Sequence, residues 1–313
     1  MIDLHLHFDG SLLPRTVLEL AQEQGILLPS REPDELKLFL AAPEECGSLN
    51  EYLEKFDLPL QVLQTKEAVR KAMYILVSSL KEQGMLYAEI RFAPQLHTKK
   101  GMSQEQVVKA ALSGMQEALI GSFFNCKLIL CCMRGADNLG ENLLTVRTAA
   151  TFLGRGVAAV DLAGAEALYP TADFADVFGL AKELGVPFTI HAGEADGPES
   201  IQAALAFGAS RIGHGVRAAE DPELLARLKE QQIPLEMCPS SNVQTKAVAT
   251  LAEHPVLDFL RRGLKVTINT DNMTVSDTTI EKEFGLLSRE LGMTAEERKT
   301  LLLNAADAAF LTA

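Results

Sequence analysis

Basic residues are scarce in this chain of 313 amino acids. With 29 Lys and Arg against 42 Asp and Glu, its formal charge is -13, and a field of that sign repels polyanions. Binding along a phosphate backbone depends on clustered Lys and Arg, so nucleic acid is not an expected partner and a neutral small molecule is the better match. Cysteine is also sparse: Cys46, Cys126, Cys131, Cys132 and Cys238 are odd in number and form no CxxC pair. Neither a disulfide framework nor a cysteine zinc knuckle is therefore indicated. Cys131 and Cys132 lie in an apolar run and read as small, reduced core residues.

Long apolar runs are missing as well. No window approaches the roughly 18 uninterrupted apolar residues of a membrane helix, and the opening MIDLHLHFDGSLLPR lacks a basic stretch followed by an apolar one. The expectation is a cytoplasmic protein with no membrane association. No GxGxxG or GxxxxGK[ST] follows the first strand-like run, which argues against an open doubly wound sheet. A Pro-, Gly- or Ser-rich linker is absent too, so residues 1–313 are expected to form a single domain. No amphipathic stripe marks a protein partner.

What the chain does contain is eight short apolar or alternating runs: 2–8, 85–92, 127–133, 157–162, 187–191, 211–213, 234–238 and 265–270. Helical patterns separate them. Residues 66–83 place Val69, Ala72, Met73, Leu76 and Leu80 at helical spacing and stop at Gly84. Ser103 with Gln106 and Thr294 with Glu297 have capping-box spacing, and Asp221 before Pro222 suits a helix start. Eight strands alternating with helices predict an α/β fold, the (β/α)8 TIM barrel. More than 70 residues separate the first two strands, far beyond an ordinary connection, so 10–65 is expected to add helices over one barrel end.

Chemistry concentrates at the predicted strand ends. In the first run Asp3, His5, His7 and Asp9 alternate with Leu4, Leu6 and Phe8, and period-two side chains share a face. His5 and His7 can thus project together toward one metal ion. His191 ends strand five, His214 ends strand six, and Asp271 follows strand eight; in such a barrel the C-terminal strand ends converge on one face. His5, His7, His191 and Asp271 offer three imidazoles and a carboxylate, a set that suits zinc, with iron, cobalt and manganese left open by sequence. Glu194 follows His191 by three residues, where a turning chain could aim it at the same pocket. His97 reads as structural, and His254, just before Pro255, as a surface or capping residue.

The segments HLHFDG, DLAGAE, HAGE, IGHG, CPSSN and NTD occur in that order along nearly the whole chain, and together they resemble the adenosine deaminase family. The resemblance implies one zinc ion per chain held by His5, His7, His191 and Asp271, and a purine nucleoside, adenosine foremost, as substrate. Glu194 would donate a proton to purine N1, His214 would orient or deprotonate the attacking water, and Asp271 would serve the reaction as well as the metal. Asp9 would contact the ribose, Gly164 would let the backbone approach the purine, and His7 would border the substrate.

Two positions depart from the family pattern. Asn272 stands where many members carry a second Asp that hydrogen-bonds purine N7; the amide keeps an acceptor and adds donors. Ala165 replaces a common acidic residue. A binuclear relative is disfavoured because strand four, VAAVDLAG, holds no bridging Lys, and the cytidine-deaminase arrangement of HxE with PCxxC is missing. Adenine, aminofutalosine or N6-methyl-AMP remain alternative substrates, and a non-catalytic nucleoside-binding barrel is the remaining alternative.

Overall fold

A computed structural model describes residues 1–43 and 45–311. Eight parallel strands form the framework: β1 (Ile2–His7), β2 (Tyr87–Phe92), β3 (Asn125–Met133), β4 (Val157–Ala163), β5 (Thr189–Ala192), β6 (Arg211–His214), β7 (Leu235–Met237) and β8 (Val266–Ile268). They pair in sequence order as two four-stranded sheets, β1 to β4 and β5 to β8. Parallel bridges between Val160 and Phe188 and between Leu6 and Asp271 join the sheets at both seams. Main-chain bonds of 2.7 Å from His7 to the Asp271 carbonyl and 2.8 Å from Asp271 to the His5 carbonyl hold the second seam. This is the expected TIM barrel.

Element ends shift by a residue or two. β3 begins two residues before its predicted start and β2 two residues after, because a ladder ends where its neighbour stops offering partners, which apolarity alone does not reveal. The helix predicted over 66–83 spans Lys66–Glu82, with the Thr65 side chain accepting from Ala68 at one end and Gly84 left-handed at φ 73° beyond the other. Both capping boxes form, and Asp221 accepts from Glu223 and Leu224 ahead of Pro222. Between β1 and β2 lie the helices Pro14–Gln24, Pro33–Leu40, Leu49–Leu53 and Asp57–Val62. No described helix is long and apolar enough to cross a membrane.

The main apolar core lies between the strands and the surrounding helices, and Leu6, Phe8, Ile90, Leu128 and Val160 belong to it. Inside the barrel the filling is ionic. Arg91 and Arg211, among the largest fully buried side chains, share Glu236: Arg91 reaches it at 2.8 Å and Asp161 at 2.8 Å, while Arg211 reaches it at 2.6 Å and Glu89 at 2.5 Å. Buried charge is tolerated only when paired in this way. The five cysteines are buried and unpaired, as expected.

Candidate active site and metal centre

Strand alternation builds the first half of the site. Leu4 and Leu6 pack outward, which sends His5 and His7 inward toward the C-terminal mouth. His191 arrives from β5 and Asp271 from the turn after β8. The ligand atoms of His5, His7, His191 and Asp271 all lie within 4.8 Å of one another. Asp271 and His214 each adopt a left-handed backbone with φ 60°, a conformation uncommon for side chains larger than Gly and often found where a site demands it.

The surroundings of these imidazoles prepare them to bind a cation. His5 Nδ1 lies 2.9 Å from Glu236, and His191 Nδ1 lies 2.9 Å from Asp161. Each carboxylate accepts a hydrogen bond from the Nδ1–H, so in the neutral ring each Nε2 presents a bare lone pair to the centre. Burial, aided by neighbouring cations, holds His7 and His191 below the usual imidazole range, although Asp271 and Asp161 respectively work against it. His7 Nε2 and His191 Nε2 stand only 3.2 Å apart, and the buried His5 Nε2 has no hydrogen-bond partner. Converging lone pairs with an orphaned acceptor fit a metal ion, and three nitrogens with one carboxylate oxygen fit zinc's donor preference.

Beside this centre sit Glu194 and His214, their Oε2 and Nε2 atoms 3.4 Å apart. Burial, followed by the negative fields of Asp271 and Glu166, raises the Glu194 carboxyl well above its ordinary range, which favours its protonated form. Thr245 donates to its other oxygen at 2.9 Å. Burial above all, with the crowding of the neighbouring imidazoles, holds His214 well below the usual imidazole range. Ser241 donates to Asp271 Oδ2 at 2.5 Å.

These groups open into a cavity of about 320 Å³, near the lower end of small-molecule sites. His7, Asp9, Gly164 and Asn272 all line it, so the structure brings every sequence-predicted site residue together. Asp9 is buried, which moves its carboxyl up to about 6. Gly164 has φ 112°; a Cβ there would find ordinary packing distance, so the backbone conformation and the open cavity, not crowding, call for glycine. Leu49, Leu53, Phe56 and Leu60 from the inserted helices form an apolar wall. Arg134, the one Arg or Lys on the wall among the described residues, spends both Nη groups on Tyr169, Thr171 and the His191 carbonyl.

Several contributors escaped sequence reasoning. Glu166 accepts from the main-chain N–H groups of Gly193, Glu194, Ala195 and Asp196 at 2.7–3.1 Å, and so shapes the HAGE turn. Glu236 carried a signal, a lone carboxylate within an apolar strand. His254 corrects an expectation: it is 5% exposed and not on the surface, its ring turned inward with Nε2 3.2 Å from the buried Asn242 Oδ1. Its capping role does hold, since Val256 donates its main-chain N–H to His254 Nδ1 at 3.2 Å. His97 is structural as expected, buried against Phe8 and Phe92 and bonded to the Leu63 carbonyl.

The family model described as Adenosine deaminase matches residues 1–313. The chain belongs to the adenosine deaminase family. A Haemophilus ducreyi member named adenosine deaminase is 53% identical, with 100% of this chain and 92% of that protein covered. Among solved structures, the adenine deaminase of Arthrobacter aurescens is 29% identical with a TM-score of 0.90, covering 99% of this chain and 94% of that one. The Arabidopsis N6-mAMP deaminase is 27% identical with a TM-score of 0.87, covering 99% and 92% respectively.

Proposed function

We propose that the protein hydrolyses the C6–amine bond of adenosine and 2′-deoxyadenosine, releasing ammonia and leaving inosine or deoxyinosine, as part of purine salvage. His5, His7, His191 and Asp271 would hold one zinc ion per chain, which when bound would supply a water acidified toward a pKa of about 7. The observation that carries the reading is the buried Glu194, its carboxyl raised well above the ordinary range, beside that ligand cluster in a cavity of about 320 Å³. Identity of 53% to a protein named adenosine deaminase, against 29% to an adenine deaminase, supports the nucleoside.

In this reading Glu194 gives its proton to purine N1 while a water oxygen adds to C6. His214 hydrogen-bonds that oxygen. The C6–N bond then breaks, and the two water protons end on the departing amine and on Glu194. Asp9 meets the ribose, the Gly164 backbone and His7 border the purine, and Asn272 donates its amide N–H to N7 without needing to be protonated. With Arg134 committed to the protein itself, no free cation awaits a phosphate among the described wall residues. Residues 1–313 act as one domain.

The test is to incubate the zinc-loaded protein separately with adenosine, 2′-deoxyadenosine, adenine and AMP, following ammonia release and the ultraviolet change from aminopurine to hydroxypurine. Turnover of the two nucleosides alone is expected. Preference for adenine or AMP overturns the substrate, and silence on all four overturns the reaction.

A further inference from the structure

Behind His214, away from the cavity, two side chains form a short hydrogen-bonded chain that ends on main-chain donors. Val256 N–H points at His254 Nδ1, 3.2 Å away. A main-chain N–H can only donate, so the neutral His254 ring must carry its proton on Nε2; burial supports that neutral state, with the imidazole held down at about 4. Nε2 in turn faces Asn242 Oδ1 at 3.2 Å. That oxygen also receives the main-chain N–H of Cys238 at 3.3 Å. Two donors on one side leave the amide a single orientation, with Nδ2 directed at His214 Nδ1, 3.0 Å away.

We propose that Asn242 and His254 are positioning residues that hold His214 as its Nε2–H tautomer, making it a hydrogen-bond donor toward the reacting oxygen and not the base that removes the water's proton. The argument runs through fixed polarity. Asn242 donates to Nδ1, so the His214 proton sits on Nε2, the atom beside Glu194. Protonating Nδ1 as well would set two N–H groups against each other in a buried site. Rotating Asn242 to relieve this would turn its NH2 onto Cys238 N–H and His254 Nε2–H, both donors. The orientation of the amide is fixed from its oxygen side by two main-chain donors that cannot reverse, Cys238 N–H directly and Val256 N–H through His254. For its catalytic consequence the inference rests on the deamination reading, whereas the tautomer does not depend on it.

The experiment uses the zinc-loaded protein labelled with 15N-histidine. Long-range proton–nitrogen correlations distinguish protonated from bare ring nitrogens, and the spectrum of His214→Gln assigns the His214 ring. The wild-type ring is expected to carry its proton on Nε2. Asn242→Asp keeps an acceptor for Cys238 and His254 but presents a second one to His214, so a proton should appear on Nδ1. Adenosine turnover by that variant should fall about 10- to 100-fold in kcat, the usual scale for an outer-shell partner, with KM and zinc content little changed. His254→Leu removes one of the two donors that orient Asn242 and leaves the longer Cys238 N–H contact alone to hold the amide, so a minor Nδ1–H population should appear. A wild-type Nδ1 proton, or an unchanged Nε2–H tautomer in either variant, overturns the proposal. Loss of the adenosine activity reading would leave the tautomer result standing.

Discussion

Single side chains carry the sharpest tests. Glu194→Gln preserves shape and the Thr245 bond but cannot supply a proton, so zinc content should persist while kcat falls about 10²- to 10⁴-fold, the usual worth of general acid catalysis. Near-normal turnover in that variant would remove Glu194 from the mechanism. His97 offers a test unconnected with catalysis. Burial lowers its imidazole from 6.5 to about 4, against the weaker opposing pull of the Leu63 carbonyl. Between those values the unfolded chain binds the extra proton and the folded chain does not, so the native state loses stability as pH falls from 6.5 toward 4. His97→Gln lacks this slope. Denaturation of both proteins at pH 7 and pH 4.5 should show the wild type losing ground to the variant on acidification, by on the order of 3 kcal/mol at most. Asp3 and Asp9, each moved up to about 6 by burial, slope the other way but are common to both proteins and cancel. A difference independent of pH would refute the buried neutral imidazole.

Among the elements, β1 and the HAGE turn were legible to different degrees. The alternation of β1 showed on its face which side chains point inward, because period-two geometry is local. The turn after β5 was readable only as a motif. Its conformation is imposed by Glu166, 27 residues earlier than Gly193 and accepting from it, together with Gly193 at φ 70°. Glu166→Ala should strand several of the four N–H donors, and an unsatisfied buried donor costs about 1–3 kcal/mol. Chemical denaturation should therefore register a loss of roughly 3 kcal/mol or more, and the surviving folded enzyme should show lower kcat because Glu194 is no longer aimed. A fully stable, fully active variant would show that the turn holds itself.

For the molecule as a whole, the ionic filling of the barrel ties stability to the metal site. Arg211 binds Glu89, Glu236 and the Ala308 carbonyl, and its guanidinium lies 3.9 Å from the Phe310 ring centroid. Glu236 in turn holds His5. Arg211→Met should cost about 3–5 kcal/mol by leaving buried carboxylates uncompensated, and should weaken zinc retention in competition with a chelator. Unchanged zinc affinity would mean that Glu236 holds His5 without help from Arg211. Strand order, the extra helices after β1 and the pooling of predicted site residues at one end were all foreseeable, since period and alternation are local properties that the barrel topology merely closes. By itself the sequence determined which residues face inward and which chemistry they can perform. Only the tertiary structure decided which carboxylate serves which imidazole, that burial pushes the Glu194 carboxyl well above its ordinary range, and which nitrogen of His214 faces the cavity. Those are properties of burial and of partners up to hundreds of residues apart, and no local pattern encodes them.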